Sequence, residues 1–165
     1  MHILLTRPLE DSFDLIIRFK NLGHTVSHLP LLSVEMVPYD RNLTQNCEAI
    51  IFTSANAIKF LDLKNMNKNI KCFCVGLATE KKAKNVGFQN IISAEGSVRN
   101  LKELILQNFK SSDGNLIYVS GEIISSDLDK QLIKEGYSIK RLIDYKTNHN
   151  KNFDKIFVEN LKQNM

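Results

Sequence analysis

The 165-residue chain is 43% apolar and 24% charged with a net charge of +4, the balance of an ordinary soluble globular protein rather than a disordered, collagenous or low-complexity one. Its apolar runs, such as Ala49–Phe52, are far shorter than the ~20 residues of a membrane span, and Met1–Leu5 enters a strand-like run without the basic segment or cleavage site of a signal peptide. The lysines are scattered and Trp is absent, so the mild basicity suits solubility or an anionic small ligand better than nucleic acid.

The chain opens on a strand, His2–Thr6. Leu9, Phe13, Ile16 and Ile17 then share one face of a helix ending at Gly23. A second strand, Thr25–Leu29, leads to Pro30 and Pro38, which bracket Leu31–Val37; this stretch reads as an extended crossing rather than a sheet centre. Ala49–Thr53 and Ile70–Val75 are apolar on both faces, as strands of a covered parallel sheet must be. Between them Ala57, Ile58 and Leu61 make a helical stripe, and Thr79–Val86, stopped by Gly87, makes the next helix.

Strand Asn90–Ile92 precedes a helix capped by Ser97, with Leu101, Leu104, Ile105 and Phe109 inward. Strand Asn115–Ser120 precedes a helix capped by Ser125 or Ser126 and closed by Gly136; strand Ser138–Tyr145 follows. Thr147–Asn152 reads as a polar linker, and Phe153, Ile156, Phe157 and Leu161 mark one face of a last helix. The alternation predicts an α/β fold with parallel sheets. Five strands between this crossing and the polar linker suffice for one complete sheet, residues 34–146, whereas residues 1–33 and 147–165 supply only an incomplete, discontinuous first domain.

Cys47, Cys72 and Cys74 form no disulfide framework and fit a reducing cytoplasm. Cys72 and Cys74 leave a strand on one face without metal-ligand spacing, which predicts core cysteines and no metal. In open parallel sheets ligands bind beyond the carboxyl ends of the strands. Those positions hold Thr6 and Arg7; Thr53, Ser54, Ala55 and Asn56; Gly76 and Thr79; Ser97; and Ser120 and Gly121. The set lacks a carboxylate pair, a nucleophile elbow and a dinucleotide or P-loop motif. Its hydroxyls, glycines and helix starts present backbone N–H groups suited to carboxylate or phosphate oxygens, although Ser and Thr at such places also serve as plain caps.

IFTSANAI at Ile51–Ile58, VGLAT at Val75–Thr79, and Tyr145-Lys146-Thr147 resemble the uroporphyrinogen-III synthase family. Leu5-Thr6-Arg7-Pro8, Pro30-Leu31-Leu32 and Ile117–Glu122 resemble it in the same order. The resemblance implies two flavodoxin-like parallel-sheet domains joined by a two-stranded crossing, the first incomplete here. It also implies a cofactor-free cytoplasmic hydro-lyase that closes hydroxymethylbilane with inversion of the terminal pyrrole ring. Tyr145 would be the catalytic tyrosine helping to expel the hydroxyl, with interdomain packing as its other reading. The incomplete domain leads to an expectation of self-association or a complementing chain, and of weak, largely uninverting behaviour in the isolated chain. A non-catalytic flavodoxin-like binding module, or an inactive remnant, is the alternative that the residues leave open.

Overall fold

The protein is described here from a computed structural model that covers residues 1–151 together with Phe153 and Glu159; the last expected helix lies outside the described residues. The chain divides into two compact units, Met1–Glu35 with Thr147–Met165, and Met36–Lys146.

In the first unit, β1 (His2–Leu5) pairs in parallel with β2 (Thr25–His28), and α1 (Leu9–Asn21) connects them. The sequence pattern placed Leu9, Phe13, Ile16 and Ile17 on the inward face of α1. Instead the helix buries Ser12, and Leu9, Phe13 and Ile17 are exposed. A two-stranded sheet is too narrow to cover the whole apolar stripe, so the stripe turns outward.

A six-stranded sheet contains β3 (Leu32–Met36), β4 (Ala49–Phe52), β5 (Lys71–Val75), β6 (Asn90–Ala94), β7 (Asn115–Gly121) and β8 (Ser138–His149), and the second unit is built on its strands from β4 to residue 146 of β8. The sheet order is β3-β8-β7-β4-β5-β6, and each contact from β8 through to β6 is parallel. The five parallel strands therefore run 3-2-1-4-5 in chain order, not the 2-1-3-4-5 of a flavodoxin-like sheet. The chain winds outward through β5 and β6, then returns to the other side of β4, which puts the reversal of strand order between β4 and β7.

The segment between the prolines is extended and lies at a sheet edge, not at its centre, in keeping with the crossing expected there. A further expectation changes: β8 continues to His149 through residues read as a linker.

The pleat sorts side chains into two cores. Ile50, Phe52, Cys72, Cys74, Ile117, Val119 and Leu142 pack on one face with Ala57, Ile58, Leu61 and Ala83. Ala49, Ile51, Phe73, Leu116 and Tyr118 pack on the other with Leu101, Ile105, Leu128 and Leu132. Apart from Leu61, which follows α2, the residues packed on the sheet come from α2 (Asn56–Lys59), α3 (Leu77–Asn85), α4 (Val98–Asn108) and α5 (Leu128–Lys134). The second stripe is thus buried as expected, although α2 is a single turn. The serine cap expected for α5 is absent: its cap position is Asp127, and the Ser126 hydroxyl accepts a hydrogen bond from the Gln131 amide instead. Ser97 does cap α4, its hydroxyl accepting from the Asn100 amide at 3.3 Å. Cys72 and Cys74 are fully buried core residues with sulfurs 3.7 Å apart.

Candidate functional site

The expected site residues of the second unit stand at or beyond the carboxyl ends of parallel strands. Thr53 to Asn56 leave β4 and open α2; Gly76 leaves β5 and opens α3; Ser97 follows β6; Ser120 and Gly121 end β7; and Tyr145 lies on β8. The crevice at a reversal of strand order is the usual ligand position in such sheets, and here it is flanked by Thr53 and Ser54 on one side and Ser120 and Gly121 on the other.

Local geometry explains most of these residues. Gly76 has φ 78° and ψ 154°, a conformation that other residues rarely adopt, and it turns β5 directly into α3. The first amides of α3, at Leu77 and Ala78, have no carbonyl within the helix to serve and lie on exposed residues. Thr79, by contrast, is buried beneath them. After β4, the Ser54 hydroxyl accepts from the Asn56 amide at 3.2 Å. Thr6 and Arg7 follow β1 in the first unit. The Arg7 carbonyl receives hydrogen bonds from the Ser12 hydroxyl (3.2 Å) and His28 Nε2 (2.8 Å), and the Thr6 carbonyl receives the Leu31 amide at 2.9 Å.

The two faces of the sheet edge differ. On one face, Gly121 meets the ring of Tyr145. A Cβ added at Gly121 would stand 2.7 Å from the Tyr145 Cε2 and Cζ atoms, so the close approach of the ring requires glycine there. On the other face, Thr53 Oγ1 and the Tyr118 hydroxyl share a hydrogen bond of 3.1 Å. Arg141 spans the end of β7, donating from Nε to Ser120 Oγ at 2.8 Å and from Nη2 to the carbonyls of Gly121 and Glu122 at 2.7 and 2.8 Å. The Ser120 side chain is buried and already engaged. Burial raises the Tyr118 hydroxyl above its ordinary pKa, while its bond to Thr53 and the nearby Arg141 charge oppose the shift.

Sequence reasoning did not single out Tyr118, Arg141 or Asp144. Strand alternation puts Tyr118 and Ser120 on one face of β7, which was available from sequence. Pairing Arg141 with Ser120 needs the β7–β8 register, and Asp144 needs a bulge described below.

The uroporphyrinogen-III synthase HemD family model matches residues 14–165. The chain belongs to this family. It is 29% identical over 170 residues to the porphyrin biosynthesis protein HemD of Ruminiclostridium josui, with 93% of this chain and 34% of that protein covered. Its fold is similar to a mutant uroporphyrinogen III synthase of the extremely thermophilic bacterium Thermus thermophilus (TM-score 0.62, 17% identity, 91% of this chain and 64% of that one). It is also similar to the uroporphyrinogen-III synthetase of Helicobacter pylori (TM-score 0.58, 22% identity, 82% and 62%). The chain thus spans about a third of the curated relative and less than two thirds of these solved chains. The motifs that carried the resemblance fall at the β4–α2 turn, at the β5–α3 turn and on β8. Among the described residues no helix is long and apolar enough to cross a membrane.

Proposed function

We propose that the chain provides the porphyrinogen-binding edge of a uroporphyrinogen-III synthase, which closes hydroxymethylbilane with inversion of the terminal pyrrole ring and loss of water. The observation that supports this reading is the convergence of backbone-rich turns from β4, β5 and β7 on one sheet edge, with Tyr145 laid against Gly121 there. A linear tetrapyrrole carries two carboxylate arms on each ring. Turns such as Ser54–Asn56 and Gly76–Ala78 can meet those arms with amide donors and leave the reacting end free.

Spontaneous closure gives the uninverted isomer, so the protein's task is orientation and exclusion of water. In this reading the Tyr145 hydroxyl gives its proton to the departing hydroxymethyl oxygen, which leaves as water. The proton lost from the terminal ring when the macrocycle closes restores the phenol, and the step balances without a cofactor. Thr6, Arg7, Thr79, Ser97 and the Ser120–Gly121 backbone complete the proposed binding set. Thr79 and Ser120 serve it as buried supports. We also place association of the first unit with a second copy of the chain within this reading, because its helix α1 carries an exposed apolar stripe.

The test combines equilibrium binding of uroporphyrinogen with separation of oxidised porphyrin isomers after incubation with fresh hydroxymethylbilane. Saturable binding and isomer III above the protein-free control support the reading. No saturable binding together with isomers identical to the control refutes it. In preparations that make isomer III, Tyr145→Phe is expected to lower the rate roughly 10²-fold with little change in Tm; unchanged turnover would return Tyr145 to a packing role.

A further inference from the structure

Asp144 is fully buried, and neither of its carboxylate oxygens has a hydrogen-bond partner. It is also the extra residue of a β-bulge. Ser120 of β7 faces Ile143 and Gly121 faces Tyr145, so Asp144 faces no residue of β7. The bulge reverses the alternation of β8. Leu142 and Tyr145, three residues apart, would point to opposite faces of a regular strand, yet both pack against the same core. Were the same sequence to run on as a regular strand, Asp144 would face Gly121 and Tyr145 would point to the opposite face.

Two backbone bonds hold the bulge in place: the Val37 amide donates to the Asp144 carbonyl at 2.8 Å, and the Glu122 amide to the Tyr145 carbonyl at 2.9 Å. Among the described residues the titratable neighbours offer the carboxyl no counter-charge. Tyr39, from the segment after β3, interacts with it electrostatically. The Tyr39 hydroxyl is already used, accepting from the Asp62 amide at 2.6 Å and donating to the Phe60 carbonyl at 3.4 Å. Asp62 and Arg41, which also act on Tyr39, pair with each other at 3.0 Å. Lys140, on the same face of β8, lines a separate cavity of about 240 Å³ with Asp40 and Asn115. Arg141 is bound to Ser120, Gly121 and Glu122 on the other face. Burial accordingly pushes the Asp144 carboxyl up from 3.8 to about 7, opposed only by its own backbone amide.

We propose that Asp144 is a positioning residue: the β8 bulge that lays Tyr145 against Gly121 keeps its place while Asp144 is buried as a neutral acid, and ionisation of Asp144 releases the bulge and the Tyr145 ring with it. An ionised carboxylate in apolar surroundings must find water or a donor. The bulge is the place where β8 can turn it outward, because Asp144 has no β7 partner to give up. The linkage has a definite sign. The native state holds a proton that the unfolded chain releases, so this group's contribution to stability falls as pH rises from about 4 to about 7 and stays lost above that. Release of the bulge follows the native-state ionisation and is centred near the upper end of that window.

The test is carbon NMR of the full chain labelled at the Asp carboxyl and the Tyr ring, titrated from about pH 5 to about pH 8.5. The Asp144 carboxyl and the Tyr145 ring are expected to shift with one common midpoint near neutrality. In Asp144→Asn the Tyr145 signal should stay close to its low-pH wild-type position throughout. A Tyr145 signal that does not move in the wild-type protein overturns the proposal, as does one that moves identically in the variant. If the variant does not fold, the wild-type titration decides by itself. No readout depends on turnover, so failure here is separate from failure of the proposed synthase activity.

Discussion

The two units of the chain use the same ingredients and treat them differently. In Met36–Lys146, strand β4 lies between β5 and β7, and all of its residues, Ala49 to Phe52, are buried. In the other unit, β1 has β2 as its one paired strand among the described residues, and Leu4 at its centre is 40% exposed. The helices repeat the contrast. Leu101 and Ile105 of α4 are fully buried, whereas Phe13 of α1 is 56% exposed, although both helices are amphipathic in sequence. An apolar stripe states a preference for burial, and the number of neighbouring strands decides whether the preference is met.

The largest effect that would sharpen this comparison comes from the covered side. Leu132 lies in the core beside Tyr118, Leu116 and Leu128 with no exposed surface. Leu132→Ala should cost about 2–5 kcal/mol, the lost transfer energy plus a cavity that the packed sheet cannot close. Denaturant unfolding measures it, and a loss below about 1 kcal/mol would mean that α5 is not packed as described.

Next in size is the fork that ties β8 to the end of β7. Arg141→Met keeps much of the apolar stem but removes the donors to Ser120 Oγ and to the carbonyls of Gly121 and Glu122. The expected loss is about 1.5–3 kcal/mol by thermal unfolding, because hydrogen bonds from a charged group are the stronger ones and Ser120 is buried. Arg141→Lys should recover only part of it, since a single ammonium cannot reproduce the fork. Full recovery by lysine would show that charge, not geometry, holds this corner.

These two sites also show what was legible in the sequence. The strands of the larger sheet, Gly76 at its turn and Ser97 at its cap could be read directly, because runs of β-branched residues, glycines and capping hydroxyls act locally. The candidate site could be placed at strand ends for the same reason. The Arg141 fork could not, since it depends on the register that puts Arg141 opposite Tyr118, one step along the same face from Ser120. Nor could the bulge at Asp144: one extra residue leaves no mark in composition but changes the face of everything after it. The inward face of α1 was misjudged because helical periodicity identifies a stripe without saying whether enough sheet exists to cover it. The extension of β8 to His149 was missed because its last residues run past the end of β7 and there tolerate polar side chains that elsewhere mark a linker.

The smallest expected effect on stability is on the uncovered side, and it can break the comparison outright. Phe13 sits with Leu9 and Ile17 on an exposed stripe of α1, spaced so that the three lie one turn above another. In the described structure Phe13→Ala removes an aromatic ring that mostly contacts water, so the change in unfolding free energy should stay within about 0.5 kcal/mol. The effect should appear instead in association. If a second copy covers the stripe, sedimentation velocity of the wild-type chain will show a concentration-dependent increase in mass that Phe13→Ala reduces. Phe13→Lys, which puts a charge in the middle of the stripe, should reduce it further. A stability loss of about 3–5 kcal/mol from Phe13→Ala in a strictly monomeric chain would be the signature of a buried phenylalanine. That outcome would mean α1 is covered within the monomer, and the contrast between the two units would disappear.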